Sequence, residues 1–238
     1  MANLAGGSHG DGTGRASVRV GRPWLLAIDT ATEQAGLALF NGEHVAEMSW
    51  PGGRRQTTTA LVGLNAMLAQ VDVVIDEIGA VAVAAGPGSF TGLRVGLGLA
   101  KGLAISGYRQ VIGVNTLDIA AAPYVEAGEH CVALVPAGRG RVVWSVYQTG
   151  VSPSLPVNTS FDEFLVVLPT HATAMVVGEL TPDQRERVAN VQSRVTSLMA
   201  QRRPGVLARI GFDRWQSGEV DDPGTLEPLY LHGLPNRR

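Results

Sequence analysis

The spacing of apolar and polar residues changes period several times along this chain, and each change marks an element. Trp24 to Thr30 (WLLAIDT) is an apolar run closing on polar residues and predicts a buried strand. TATEQ at its end reads as a tight turn, and AGLALF and EHVAEMSW as two more strands of an antiparallel meander. From Gln56 to Val71 the period becomes helical, with Leu61, Leu64, Leu68 and Val71 on one face and Thr57 to Thr59 suited to the start. An uncharged strand, Ala80 to Gly86, then runs into a GPGSFTG turn and a glycine-studded helix reaching Ser106. Strand Gln110 to Asn115 and helix Thr116 to Ala127 follow. A second strand, turn, strand unit appears in CVALVPA, GRGR and VVWSVYQ, about a hundred residues after the first. Beyond it, FDEFLVVL predicts a short helix, AMVVG a strand, and Pro204 to Gly218 the last helix.

Two of these helices lack an ordinary wet face. The Gln56–Val71 helix contains no charged side chain. Around the Gly92–Ser106 helix, only Arg94, Lys101 and Ser106 interrupt an apolar and glycine surface of roughly 280°, where a helix packed on one sheet needs about 100°. Gly92, Gly96, Ala100 and Ala104 form a ridge of small residues at i+4 spacing, which lets a second backbone come close. The predicted partner face comprises Leu61, Leu64, Leu68, Leu93, Gly96, Leu97 and Ala100, with another helix of the same chain as the alternative cover.

The element order β-β-β-α-β-α-β-α matches the ribonuclease-H-like lobe of acetate kinases, sugar kinases, Hsp70-type ATPases and actin. The expected fold is therefore α/β, with two such lobes of the actin-like ATPase (ASKHA) type, the second reduced. The expected boundaries are a flexible N-terminal tail over 1–21, a first lobe over 22–128, a second over 129–203, and a C-terminal helix and tail over 204–238 that packs back on the first lobe.

Composition narrows the function classes. A net charge of −2 argues against an autonomous nucleic-acid binder, so any RNA would be gripped mainly through a partner. The single cysteine, Cys131, excludes an intramolecular disulfide. No apolar run is long enough for a membrane span and no signal-peptide core is visible, which points to the cytoplasm. The five histidines, at 9, 44, 130, 171 and 232, show no i, i+4 pairing for a metal, so no metal site is expected.

Four segments together, LLAIDTATEQAGLALF, VAVAAGPGSFTGLRVGLGLAKGLA, VIGVNTLDIAA and the terminal EPLYL, resemble the bacterial TsaB (YeaZ) family, most closely from Leu25 to Ala121. The resemblance implies a non-catalytic subunit of the machinery that places threonylcarbamoyl on the tRNA adenosine beside the anticodon. It implies pairing with the catalytic paralogue TsaD and the ATPase TsaE through a bundle built from the first two helices, with tRNA met only through the complex and a homodimer in isolation. ATP would be used by the complex and not bound tightly by this chain alone, so no cofactor is expected.

The competing reading is an enzyme, an ATP-binding kinase-like or carbamoyltransferase-like protein of the same superfamily. Asp29, Thr30 and Thr32 would then form a nucleotide site, vestigial on the TsaB reading, with a carboxylate near Mg²⁺ and hydroxyls near phosphate. A second acidic loop is needed for that chemistry, and Pro136 stands where its carboxylate belongs. The family pattern of Asp-Ala-Arg followed by Gly-Glu is likewise replaced here by Pro136, Ala137 and Gly138, then Gly140 and Arg141. Gly88, Ser89 and Thr91 are candidates for an anion-binding turn, although Leu93 and Arg94 occupy the positions of a Walker loop's Lys and Ser/Thr. Ser89 or Thr91 is the expected helix cap. Ser89 lacks the context of a hydrolase nucleophile, which leaves a peptidase reading without a base.

Overall fold

Three consecutive strands open the structure, a computed structural model that describes residues 23–52, 56–192, 194–196 and 202–230. The expected N-terminal tail over 1–21 lies outside the described residues, as do the last eight residues of the expected C-terminal tail. Strands β1 (Trp24–Asp29), β2 (Gln34–Phe40) and β3 (Val45–Pro51) form the antiparallel meander. Helix α1 (Gln56–Gln70) leads to β4 (Ile78–Gly86), which pairs parallel with β1, and α2 (Phe90–Gly107) leads to β5 (Gln110–Asn115), parallel with β4. The resulting five-stranded sheet has the order β3-β2-β1-β4-β5.

Helix α3 (Thr116–Glu126), capped by the Asn115 side chain that accepts from Leu117 N at 2.8 Å, carries the chain to the second lobe. There β6 (Cys131–Pro136), β7 (Arg141–Tyr147) and β8 (Val157–Ser160) form a second meander. After α4 (Phe161–Val167), β9 (Met175–Gly178) pairs parallel with β6 and gives the order β8-β7-β6-β9. This repeats the first four positions of the first sheet. The fifth is reduced to one parallel bridge, Val176 to Val195, so the duplication that is faint in sequence is plain in topology. Helix α5 (Pro182–Val191) precedes that bridge, and α6 (Pro204–Gln216) follows it.

Burial follows the strand alternation. Leu26 and Ile28 face a core formed with α1 and α2, including Leu64, Met67, Leu68, Leu97, Ala100 and Ala104. Leu25 and Ala27 face the opposite side, where Leu207 and Ala208 of α6 cover the sheet. The second sheet packs Leu117, Ala120 and Ala121 of α3 on one face, and Phe161, Phe164 and Val188 of α4 and α5 on the other. Glu47 of β3 holds the start of α6, with Oε2 accepting from Gly205 N at 2.9 Å and Oε1 from Arg203 Nε at 2.8 Å. After α6 the chain runs along β5: Asp221 N donates to Val111 O and Asp221 Oδ2 accepts from Gly113 N. Leu229 N then donates to Ala85 O, and the Tyr230 ring stands 5.3 Å from that of Phe90, so the PLY of the terminal motif seats against the GPGSFTG turn.

Candidate functional site

The two sequence motifs of the first lobe meet as a joint. The TAT turn after β1 and the GPGSFTG turn after β4 lie at the same end of the sheet because β1 and β4 run parallel. Ser89 N donates to Ala31 O at 2.6 Å, and Thr30 Oγ1 donates to Gly92 O at 2.7 Å. A Cβ on Gly88 would overlap the Ala31 carbonyl, and one on Gly92 the Thr30 carbonyl, so both glycines are required by close backbone approach. Ser89 is the cap of α2, its Oγ accepting from Gly92 N at 3.4 Å. Thr91 is exposed and does not serve as the cap. Of the expected anion-binding turn, Ser89 N is taken by the Ala31 carbonyl, and Gly88 lies against that same carbonyl. The Ala31 oxygen thus occupies the place in front of Ser89 N where an anion would be held, and the turn packs against the β1 turn as a joint.

At the inner end of this joint, Asp29 is buried together with Thr30 and Thr32. The structure brings the three expected nucleotide-site residues together, and each is already partnered within the chain. Arg202, from the segment before α6, donates Nε to Asp29 Oδ2 at 2.6 Å and Nη2 to Asp29 Oδ1 at 3.0 Å. Its Nη1 donates to Glu179 Oε1 at 2.6 Å, and Thr32 Oγ1 donates to the same oxygen at 2.8 Å. Burial pushes the Glu179 carboxyl above the usual range, partly offset by Arg202 and the Thr32 hydrogen bond. The two carboxylates hold the Arg202 guanidinium charged even though it is fully buried. Arg202 and Glu179 were not found by sequence reasoning; the only local signal is a pair of arginines directly before the Pro204 that opens α6.

In the second lobe, β6 ends on Pro136 at the position where β1 ends on Asp29, each the sixth residue of its strand. Pro136 is exposed and pairs with Val142. Its ring supplies no ligand or base, so the second lobe offers no carboxylate at the position equivalent to Asp29. Among the described residues no group of three His, Cys, Asp or Glu side chains converges as a metal site requires.

The predicted partner face is corrected by the packing of α1 and α2. Leu64, Leu68, Leu93, Gly96, Leu97 and Ala100 are all buried against this chain's own core, and of the seven only Leu61 reaches the surface, 43% exposed. The physical reason is the joint: the α2 backbone sits so close to Thr30 that the small-residue ridge must face inward, and a Cβ on Gly96 would lie 2.5 Å from Thr30 Oγ1 and 3.4 Å from Val83 Cγ2. The outward surface is a different set. On α1 it comprises Leu61, Val62, Asn65, Ala66, Ala69 and Gln70, all exposed and uncharged. On α2, Gly98 and Gly102 open to space with nothing within 4 Å of an added Cβ, beside half-buried Leu99 and Leu103 and Ile105, which is 67% exposed.

Two sheets of matching ribonuclease-H-like strand order, one complete and one reduced, define a two-lobed α/β protein of the actin-like ATPase (ASKHA) class. The family model "TsaD: tRNA N6-adenosine threonylcarbamoyltransferase" matches residues 54–175, about half of the chain. The tRNA threonylcarbamoyladenosine biosynthesis protein TsaB of Escherichia coli is 37% identical over 126 residues, 52% of this chain and 54% of that protein. The aligned part thus spans about half the length of that relative. An uncharacterised protein of Mycobacterium tuberculosis is 30% identical over 221 residues, 87% of this chain and 90% of the relative. Among solved structures, YeaZ from Pseudomonas aeruginosa superimposes with a TM-score of 0.68 at 25% identity, covering 88% of this chain and all of that one. The chain belongs to the TsaB (YeaZ) family. Among the described residues no helix is long and apolar enough to cross a membrane.

Proposed function

We propose that this chain is a non-catalytic subunit required for threonylcarbamoylation of the tRNA adenosine next to the anticodon, acting by binding and stabilising a catalytic TsaD-type paralogue. The observation that carries the reading is the outward surface of α1 and α2: two adjacent helices that expose Leu61, Val62, Gly98, Gly102 and Ile105 with no charge on α1 and only Arg94 and Lys101 on α2. Depletion of charge marks the centre of an interface, and exposed helix glycines with empty space above them allow a second helix to approach at backbone distance.

The paralogue is favoured as the partner because the TsaD family model matches a stretch containing both helices. A TsaD-type protein would therefore present an equivalent pair, and two like faces can meet about a pseudo-twofold axis. The same face supports a homodimer of the isolated chain. A TsaE-type ATPase and tRNA would join through the assembled complex, in keeping with the net charge of −2. The internal partners of Asp29, Thr30 and Thr32, and Pro136 at the equivalent strand end of the second lobe, support a non-catalytic role.

Light scattering on this chain mixed with a TsaD-type protein from the same organism tests the reading. A 1:1 complex with the wild type, absent with Gly98→Glu although circular dichroism shows an intact fold, supports it. A wild type that ignores the TsaD-type protein refutes it.

A further inference from the structure

We infer that Arg202 is a tethered internal ligand that holds the two lobes closed, so that lobe closure in this chain does not depend on a nucleotide. Proteins of two hinged lobes close around a ligand that contacts both, and open when it leaves. Here the group that contacts both lobes is a side chain of the chain itself. Asp29 ends β1 and Thr32 lies in the turn after it, whereas Glu179 directly follows β9 of the second sheet. The Arg202 guanidinium lies between them with all three nitrogens engaged: Nε and Nη2 to the Asp29 carboxylate, Nη2 also to Thr32 Oγ1 at 3.1 Å, and Nη1 to Glu179.

The planar fork is suited to this bridging, because it can hold one carboxylate bidentately while a third N–H points to another acceptor. Its side chain is 1% exposed and those of its partners 3% and 15%, so water does not compete for these hydrogen bonds. Removing one member of a buried pair leaves an uncompensated charge, so truncating either partner here costs far more than truncating one of a surface ion pair. Tethering also keeps the bridging group present at high effective concentration whatever the supply of small molecules. Both Asp29 oxygens accept from Arg202, so the guanidinium already supplies the positive charge that a cation-bound nucleotide would bring to that carboxylate.

The test measures lobe separation in the full chain. Nitroxide labels are attached to His44→Cys, in the exposed turn between β2 and β3, and to Val166→Cys on α4; Cys131 is buried and stays unlabelled. Glu179→Ala frees the second lobe while leaving Arg202 paired with Asp29, so the first lobe keeps its charge balance. Arg202→Lys retains the charge but not the fork, and reports the same loss should Glu179→Ala not fold. The wild type should show one narrow distance distribution that Mg·ATP does not alter. Both variants should broaden it toward longer distances, with hydrogen exchange roughly tenfold faster at Ala31–Gln34 and Val177–Leu180. Distributions in both variants that superimpose on the wild type, or a wild-type distribution that shifts on adding Mg·ATP, would overturn the inference.

Discussion

Alanine at both Gly98 and Gly102 should stabilise the isolated chain and weaken its association with a TsaD-type partner. Each glycine costs a helix interior about 1 kcal/mol relative to alanine. A Cβ at either position meets nothing within 4 Å, so no steric penalty offsets the gain. The double variant should thus gain about 2 kcal/mol, raising Tm by roughly 4–8 °C for a chain of this size. Gly96→Ala is the internal control. Its Cβ would crowd Thr30 Oγ1 at 2.5 Å and disturb the hydrogen bond from that hydroxyl to Gly92 O, with an overpacking cost of about 1–3 kcal/mol that cancels or exceeds the propensity gain. If a partner backbone rests on Gly98 and Gly102, two added methyls hold it off and affinity should fall about tenfold or more, roughly 1.4 kcal/mol. Thermal unfolding by circular dichroism measures the first effect and isothermal titration with the TsaD-type protein the second. A lowered Tm would show that the glycines are not open. A raised Tm with unchanged affinity would show that the glycine surface is not the contact.

Other expectations follow from single groups. Cys131 is wholly buried and its thiol is pushed up to about 12 by burial, so Ellman's reagent at mild alkaline pH should leave the native chain untouched and label one thiol after denaturation. Tyr147 donates to Asp118 Oδ1 at 2.6 Å between the second sheet and α3; Tyr147→Phe strands that carboxyl and should cost about 1–3 kcal/mol in urea unfolding, and a neutral result would remove the contact from the account. Burial and the neighbouring His130 hold His171 below the usual histidine range, so the unfolded chain takes this proton more readily. Its contribution is present above about pH 6.5 and lost as pH falls through the lowered value. Asp118 and Glu179, both raised chiefly by burial, act in the opposite sense, adding stability at low pH that is lost as pH rises through their values. Replacing His171 by Gln should flatten the decline in the urea midpoint between about pH 7 and pH 5, and an unchanged slope would assign it elsewhere.

Much of the architecture is legible in the sequence because strand alternation and helix caps are local. The strand beginning at Trp24 and its two partner strands, the helix after Gln56 and the final helix at Pro204 stand where residue spacing places them, and of the two expected caps, Ser89 and Thr91, Ser89 caps α2. The second lobe could be read from the faint restart at Cys131, and its reduction from the weaker pattern that follows, which the structure shows as a fifth sheet position held by one bridge. The absence of charge on α1 and its scarcity on α2 were equally legible, and with them the expectation of a partner.

What α2 shows the outside was decided only by tertiary structure. On a helix that is apolar nearly all round, apolar character alone does not say which side meets the sheet, and the small-residue ridge fits either a partner or its own sheet. The Thr30 turn settles the matter by sitting where only glycine fits at positions 92 and 96, which turns Gly98 and Gly102 outward. The bridge through Arg202 was likewise out of reach of the sequence, since 173 residues separate Arg202 from Asp29. Periodicity reports which residues share a face of one element, whereas the partner of a buried charge is set by which elements the closed chain brings within 3 Å of it.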